Sequence, residues 1–123
     1  MTFKWNDKEP IYLQLKDLIR DMILSGNLQE GEALPSVRQV ATDYKVNPIT
    51  VSKSYQILVD EKLIEKRRGL GMFVQIGAIK RLQNDENEQF ITEIWPKILT
   101  KITHLNLDTT KLINSLKAIG REQ

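Results

Sequence analysis

The first periodic segment of the chain runs from Pro10 to Gly26, and its apolar residues recur at every third or fourth position. These apolar residues are Ile11, Leu15, Leu18, Ile19, Met22 and Ile23. Such spacing places the side chains on one face of an α-helix. Proline suits the start because its missing N–H would be unpaired in the first turn, and glycine is typical just past the end. The pattern therefore predicts an amphipathic helix between Pro10 and Gly26.

A short second helix is predicted after the polar segment 27–36. Pro35 ends any preceding helix. Ser36 and Gln39 have the S-x-x-Q spacing of a capping box, in which each side chain bonds the backbone N–H of the other residue. We therefore expect a helix of two turns at most, from Val37 to about Asp43.

A third helix and a β-hairpin are predicted next. Asn47 is an N-cap residue and Pro48 suits the first helical position. One face of this helix is apolar and consists of Val51, Tyr55, Leu58 and Val59. Beyond it, the runs 63–66 and 72–76 flank the basic, glycine-containing segment 67–71, which indicates two strands joined by a tight turn.

The remaining residues predict helices that follow a boundary at Gly77. From 79 to 103 the apolar positions have helical spacing, and Pro96 must kink or restart the helix. Asp108 suits the N-cap of a last helix, which Gly120 is expected to end. The domains predicted are therefore a segment 1–77 and a helical segment 78–123.

Composition excludes much catalytic chemistry. The 123 residues suit one domain or a small domain with an appendage, and they contain no cysteine and a single histidine, His104. There is no thiolate nucleophile, no glycine-rich phosphate loop followed by Lys-Ser or Lys-Thr, and no set of residues at metal-ligand spacing. We expect no enzyme activity, no metal and no cofactor.

The location and the charge are less specific. No apolar run is long enough to span a bilayer and the N-terminal residues lack a secretory pattern, so we expect a cytoplasmic protein without membrane contact. The net charge is +2, from 18 basic and 16 acidic residues. Between Ser36 and Ile76, seven basic residues against four acidic ones give a local excess that is compatible with a nucleic-acid partner.

The order of elements predicts a mainly α (α+β) fold, namely a winged helix-turn-helix domain followed by a two-helix tail. In that arrangement the second helix of the turn motif enters the major groove with its N-terminal residues at the base edges. The segment Asn47–Lys53 is then the reading segment, and Thr50 and Ser52 add hydroxyl groups to it. Arginines beside a glycine at the wing are suited to phosphates and to the minor groove.

The sequence also resembles the GntR-type bacterial transcriptional regulators, most closely their short YtrA-like branch. The resemblance covers Pro10 to Val74. Its specific stretches are Pro10-Ile11-Tyr12 with Gln14-Leu15, Gly31 to Arg38 ending in Leu34-Pro35-Ser36-Val37-Arg38, Val46-Asn47-Pro48 with Thr50-Val51-Ser52, and Arg67-Arg68-Gly69 with Gly71 and Phe73-Val74.

The resemblance implies roles for several of these residues. It implies that Arg38 contacts a base or a phosphate and that Gly69 approaches the minor groove. Lys53 stands where the branch often has arginine, which favours a point-charge contact to phosphate over a bidentate contact to guanine. The full set of predicted DNA-binding residues is Ser36, Arg38, Asn47, Pro48, Thr50, Ser52, Lys53, Arg67, Arg68 and Gly69.

Structural alternatives remain for these residues. Arg38 could form an ion pair with Asp43 or Asp60, Lys53 could be an ordinary surface residue, and Thr50 could only assist the helix cap. The wing could be a hairpin that faces solvent and does not contact DNA. Tyr12 and Tyr55 are expected to belong to the core, as aromatic residues at helical spacing usually do.

The tail predicts self-association, because two amphipathic helices cannot bury their apolar residues by themselves. The predicted dimerisation residues are Phe90, Ile91, Ile94, Trp95, Ile98, Leu99, Ile102, Leu112 and Leu116. Packing of the tail within one chain is the alternative. A two-fold dimer would place two recognition helices on a pseudo-palindromic operator of double-stranded DNA.

The sequence therefore favours a homodimeric, sequence-specific transcriptional regulator. A repressor, which blocks transcription by occupying its operator, is the expected kind. The alternative is a winged-helix protein-interaction module that does not bind DNA. No residue pattern identifies a small-molecule effector, the operator sequence or the regulated genes, although YtrA-like relatives commonly control adjacent transporter genes.

Overall fold

The computed structural model describes residues 4–121. The chain divides into two compact units between Asp85 and Glu86. The mainly helical architecture with a two-stranded wing confirms the predicted fold class. The elements are α1 (Ile11–Ser25), α2 (Val37–Tyr44), α3 (Pro48–Asp60), β1 (Ile64–Arg67), β2 (Gly71–Val74), α4 (Ala78–Gln89), a π-helical turn (Phe90–Ile94), α5 (Trp95–Leu105) and α6 (Thr109–Arg121).

The starts of α2 and α3 follow from their N-cap residues. Ser36 Oγ accepts a hydrogen bond from Gln39 N at 3.1 Å, and Asn47 Oδ1 accepts one from Ile49 N at 2.9 Å. The expected reciprocal half of the capping box is wrong. The Gln39 side chain instead donates to Asp43 Oδ1 at 2.8 Å, one turn further along α2.

The core of the first unit lies between α1 and α3. Its buried apolar side chains include Leu15, Ile19, Ile23, Val51, Tyr55, Leu58, Leu63, Ile64, Val74 and Leu82. Two polar contacts join the same pair of helices: Ser54 Oγ donates to Tyr12 O at 2.7 Å, and Arg20 Nη1 lies 2.6 Å from Glu61 Oε1. Helix α3 is thereby held in place along its length.

A turn between α2 and α3 completes the helix-turn-helix. Lys45 adopts a left-handed conformation, with φ of 54°, and its N–H bonds Ala41 O, which ends α2. Val46 N also donates to Ala41 O, at 3.0 Å. Three residues therefore separate α2 from α3, at the break predicted from the sequence.

The wing is an antiparallel hairpin in which Ile64 pairs with Val74 and Arg67 with Gly71. The segment 31–34 pairs with the other edge of β2. Gly31 N donates to Val74 O and Leu34 N to Met72 O, both at 2.8 Å. The sequence predicted only a polar loop here, because the pairing is long-range and the segment has no alternating pattern.

The first turns of α4 belong to the first unit. Ala78 and Leu82 are fully buried in its core. The Glu30 carboxylate accepts hydrogen bonds from Gly77 N at 2.9 Å and Ile79 N at 3.1 Å, and these bonds lower its pKa. The predicted boundary at Gly77 thus marks the start of a helix, whereas the compact units divide eight residues later.

The second unit contains the π-helical turn, α5 and α6. Pro96 cannot donate a backbone hydrogen bond, and just before it Trp95 N–H bonds Phe90 O, five residues back instead of four. The predicted irregularity at Pro96 is therefore a wide turn upstream of the proline. Asp108 Oδ1 accepts from Thr110 N at 3.0 Å at the start of α6, as expected.

The predicted end of the last helix at Gly120 is wrong, because α6 continues through Gly120 to Arg121. A glycine commonly ends a helix by adopting a left-handed conformation, and Gly120 does not adopt one. His104 lies exposed in the last turn of α5. Within residues 4–121, no helix has the length and apolar character needed to cross a bilayer.

Candidate nucleic-acid interface

The N-terminal turns of α3 have one exposed face and one buried face. Asn47, Pro48, Ser52 and Lys53 are exposed and Thr50 is half-buried. Val51, in the same turns, and Tyr55, further along α3, are buried in the core. The helix is therefore fixed by one face while its predicted reading segment faces outward.

Tyr55 links this helix to the segment before α2. Its hydroxyl donates to Pro35 O at 2.5 Å. The tyrosine hydroxyl is protonated at neutral pH and so donates this bond, and burial raises the pKa of Tyr55 still further above its ordinary value. The bond fixes the position of Ser36, which caps α2 one residue further on.

Lys53 is held against a neighbouring helix. Its Nζ lies 4.7 Å from the centre of the Tyr12 ring, over the ring face, where the aromatic quadrupole attracts a cation. Tyr12 is only half-buried, so its predicted place in the core is wrong. An ammonium group restrained in this way remains a point charge suited to a phosphate oxygen.

Arg38 is exposed on α2, and the structure does not favour its structural alternative. The carboxylate of Asp43 accepts from Gln39, and that of Asp60 accepts from Gln56 at 2.9 Å. Among the residues described, no ion pair joins Arg38 to either carboxylate. Its guanidinium is accessible at the start of the short helix.

The wing has two arginines in different environments. Arg67 lies 4.2 Å above the Phe73 ring, and its Nη2 lies 3.1 Å from Glu65 Oε1. Arg68 is exposed at the turn, and nowhere in residues 4–121 does it form an ion pair. The charge of Arg67 is thus partly offset within the wing, whereas that of Arg68 is open to a ligand.

The turn of the wing needs glycine. Gly69 has φ of +75° and Gly71 has φ of +106°, which L side chains rarely adopt. No heavy atom lies within 4 Å of where a Cβ at Gly69 would stand, so conformation and not crowding selects glycine there. The open space leaves the backbone accessible to a close-lying ligand.

Two exposed apolar residues on this surface were not singled out by the sequence. Ile49 in the first turn of α3 and Leu70 at the tip of the wing are each 72% exposed. Ile49 lies off the apolar face of α3 and Leu70 lies in the turn of the hairpin, and these are the sequence signals that could have identified them. All ten predicted DNA-binding residues stay predictions.

The second unit presents an apolar surface of its own. Among residues 86–120 no side chain is buried. Of the predicted dimerisation residues, six are exposed and three are half-buried: Phe90, Ile91, Ile94, Ile98, Leu99 and Leu116 in the first group, and Trp95, Ile102 and Leu112 in the second. Four further exposed apolar residues were not predicted, Leu105, Leu107, Ile113 and Ile119.

The apolar residues of the second unit have helical order. On α5, Trp95, Ile98, Leu99 and Ile102 recur at three- and four-residue spacing and so share one face. The Trp95 ring also stacks near Phe90, with ring centres 6.3 Å apart. This ordered stripe is what an interface requires.

Residues 11–74 match the model of the family described as "Bacterial regulatory proteins, gntR family". These residues include α1, the helix-turn-helix and the wing. The resemblance seen in the sequence is thereby confirmed.

Similar proteins extend the match into the second unit. The HTH-type transcriptional repressor YtrA of Bacillus subtilis is 32% identical over 92% of this chain and 86% of its own length. The uncharacterized HTH-type regulator YhcF of the same organism is 28% identical over 95% of each. The structure of a GntR family transcriptional regulator from Listeria monocytogenes superposes with a TM-score of 0.72, at 29% identity, covering 93% of this chain and 98% of that one.

Proposed function

The chain belongs to the GntR family of bacterial regulatory proteins, and we propose that it is a homodimeric repressor that binds a pseudo-palindromic operator. The recognition helix α3 reads the major groove, and the wing contacts the adjacent minor groove and its phosphates. The site of action is the cytoplasm, where bacterial DNA lies. Occupancy of the operator blocks transcription of the genes beside it.

The observation that supports DNA binding best is the contrast between the two faces of α3. Its buried face, with Val51 and Leu58 fully inaccessible, fixes the helix, and its exposed N-terminal turns present amide, hydroxyl and ammonium groups. Base edges in the major groove are recognised by such side chains. Arg38 and Arg68 lie exposed on the flanking elements, where they can neutralise phosphates.

A second copy of this chain is the proposed partner of the second unit. A two-fold interface uses the same patch on both subunits, and the ordered apolar stripe of α5 is suited to be such a patch. Pairing also compensates for the small reading segment, because two recognition helices double the number of base contacts. The similarity to YtrA includes this unit, which supports a shared use of the tail.

The proposal is tested by selecting duplexes that the full chain retains from a random pool. The expected result is an inverted repeat bound more tightly than random duplex, with an affinity that falls as salt rises because counterions are released. Equal affinity for selected and random duplexes, or the absence of salt-dependent binding, would reject the proposed function. A stable complex with another protein in place of DNA would favour the interaction-module alternative.

A further inference from the structure

An aliphatic side chain stands in the middle of the polar reading segment. Ile49 is 72% exposed although it lies in the first turn of a helix whose other apolar residues are largely buried. Its backbone N–H is bonded to the Asn47 cap at 2.9 Å. The position of Ile49 is therefore fixed by the cap, and its side chain is left in solvent.

The helical period places Ile49 on the face that turns away from the core. A residue advances 100° around an α-helix, so Ile49 lies on the side opposite Val51 and Leu58. Ser52 and Lys53 follow it by three and four positions and therefore share its face. Ile49 thus belongs to the same surface as the predicted DNA contacts and does not contribute to the core of its own chain.

The chemistry of the side chain limits what it can recognise in a major groove. An isoleucine cannot donate or accept a hydrogen bond, so it cannot read the polar edges of guanine, adenine or cytosine. The apolar group that a base pair presents there is the C5 methyl of thymine. A methyl group at the same position of cytosine would offer the same surface.

We propose that Ile49 is a specificity-determining residue that contacts the C5 methyl group of one thymine in each half-site. The inference rests on the proposed function and deepens it, because it names the base feature that part of the reading segment selects. The operator is then expected to contain a thymine at a fixed position in both halves.

The test replaces each thymine of the selected operator in turn by deoxyuridine, which removes only the methyl group. At the contacted position, in both half-sites together, the full chain should lose about fifteenfold in affinity, since one buried methyl is equivalent to about fourfold. With Ile49→Ala the same replacement should have no effect. Ile49→Val, which keeps a branched aliphatic group, should retain most of the discrimination.

Two further arms complete the design. A duplex with cytosine at the contacted position should bind the protein as weakly as the deoxyuridine duplex, or more weakly. A duplex with 5-methylcytosine there should bind better than the cytosine duplex. This comparison separates the effect of the methyl group from that of the rest of the base. The control is Ile76→Ala, which truncates another highly exposed isoleucine and should leave the thymine-to-deoxyuridine ratio unchanged.

The outcomes separate the two hypotheses. One outcome is that the full chain selects an operator and yet, at every thymine, Ile49→Ala responds to deoxyuridine in the same way as the unchanged chain. That result overturns the inference, and the proposed function stands. If no operator is selected, both fail. A methyl dependence that disappears equally in Ile76→Ala would also overturn the inference.

Discussion

The two units of this chain differ in what they bury. The first unit has a continuous core, with Leu15, Val51 and Leu58 almost or fully inaccessible to solvent. In the second unit, no described side chain between residues 86 and 120 is buried, although its helices are amphipathic. Apolar burial is the main favourable term in folding. The first unit therefore contains its own stabilising core, whereas the described helices of the second leave most of their apolar side chains accessible.

Apolar residues therefore have different structural roles in the two units. In the first unit they fix a polar surface in place, and in the second they form the surface. On this contrast we propose that the first unit recognises DNA and that the second associates with another copy of the chain. Substitutions at equally apolar positions of the two units should consequently affect different measurements.

The largest effect is expected in the core. Leu58→Ala should lower the free energy of unfolding by about 2–5 kcal/mol, because it leaves a cavity beside α1. Urea unfolding followed by circular dichroism measures the change. The control is Leu70→Ala at the exposed tip of the wing, which should change stability by less than about 0.5 kcal/mol. Similar losses for both variants would contradict the assigned core.

A charge on the apolar stripe should act on association. Ile98→Asp is expected to weaken the dimer by about 2 kcal/mol or more, roughly thirtyfold in Kd, because the carboxylate would be desolvated in the interface. Sedimentation equilibrium measures the change, and Lys97→Asp beside it on the helix serves as the charge control. An unchanged dimer in Ile98→Asp would contradict the role of this face.

Arg38 and Arg68 should differ in the kind of DNA binding that they support. If Arg38 reads a base, Arg38→Ala costs about 1–3 kcal/mol on the selected operator and less on random duplex. Arg68→Ala should weaken binding to all sequences evenly and reduce the salt slope by about one per chain. Fluorescence anisotropy over a range of salt concentrations measures both.

Arg67 provides the matched control for Arg68. Arg67→Ala should have the smaller effect on DNA binding, because that side chain is paired with Glu65 and stacked on Phe73. An equal loss in cognate and random binding for Arg38→Ala would remove its reading role. A larger effect of Arg67 than of Arg68 would contradict the account of the wing.

The smallest effect concerns the start of α4. The pKa of Glu30 lies below its ordinary value of 4.5, chiefly because of the hydrogen bond from Gly77 N and then that from Ile79 N. A lowered pKa in the folded state stabilises the fold above pH 4.5 and loses that contribution as the pH falls through the folded value. Glu30→Gln should therefore flatten the pH dependence of unfolding below pH 4.5, measured by urea titration at several pH values. A pH dependence identical to that of the unchanged chain would contradict this role.

Local signals explain which parts of the fold the sequence could predict. The caps Ser36 and Asn47 and the apolar spacing of α1 and α3 act within a few residues, and these elements agree with the structure. The added pairing of segment 31–34 with β2 depends on residues forty positions away. Nothing in its own sequence identifies it.

Side-chain partners were harder to predict than elements. The Gln39 side chain could accept a hydrogen bond from Ser36 N or donate one to Asp43 Oδ1, and in the structure it donates to Asp43. The Lys53–Tyr12 contact joins two helices that only the folded chain brings together. Ile49 has no hydrogen-bonding group that would mark it in the sequence as a DNA contact, although its spacing already places it outside the apolar face of α3.

Whether the protein binds DNA as a dimer is decided by the number of chains bound to one operator duplex, measured by sedimentation velocity of the complex at physiological salt. Two chains are expected on the inverted repeat, with binding lost when one half-site is scrambled. A single chain per duplex, bound as tightly to one half-site as to two, would contradict dimeric recognition.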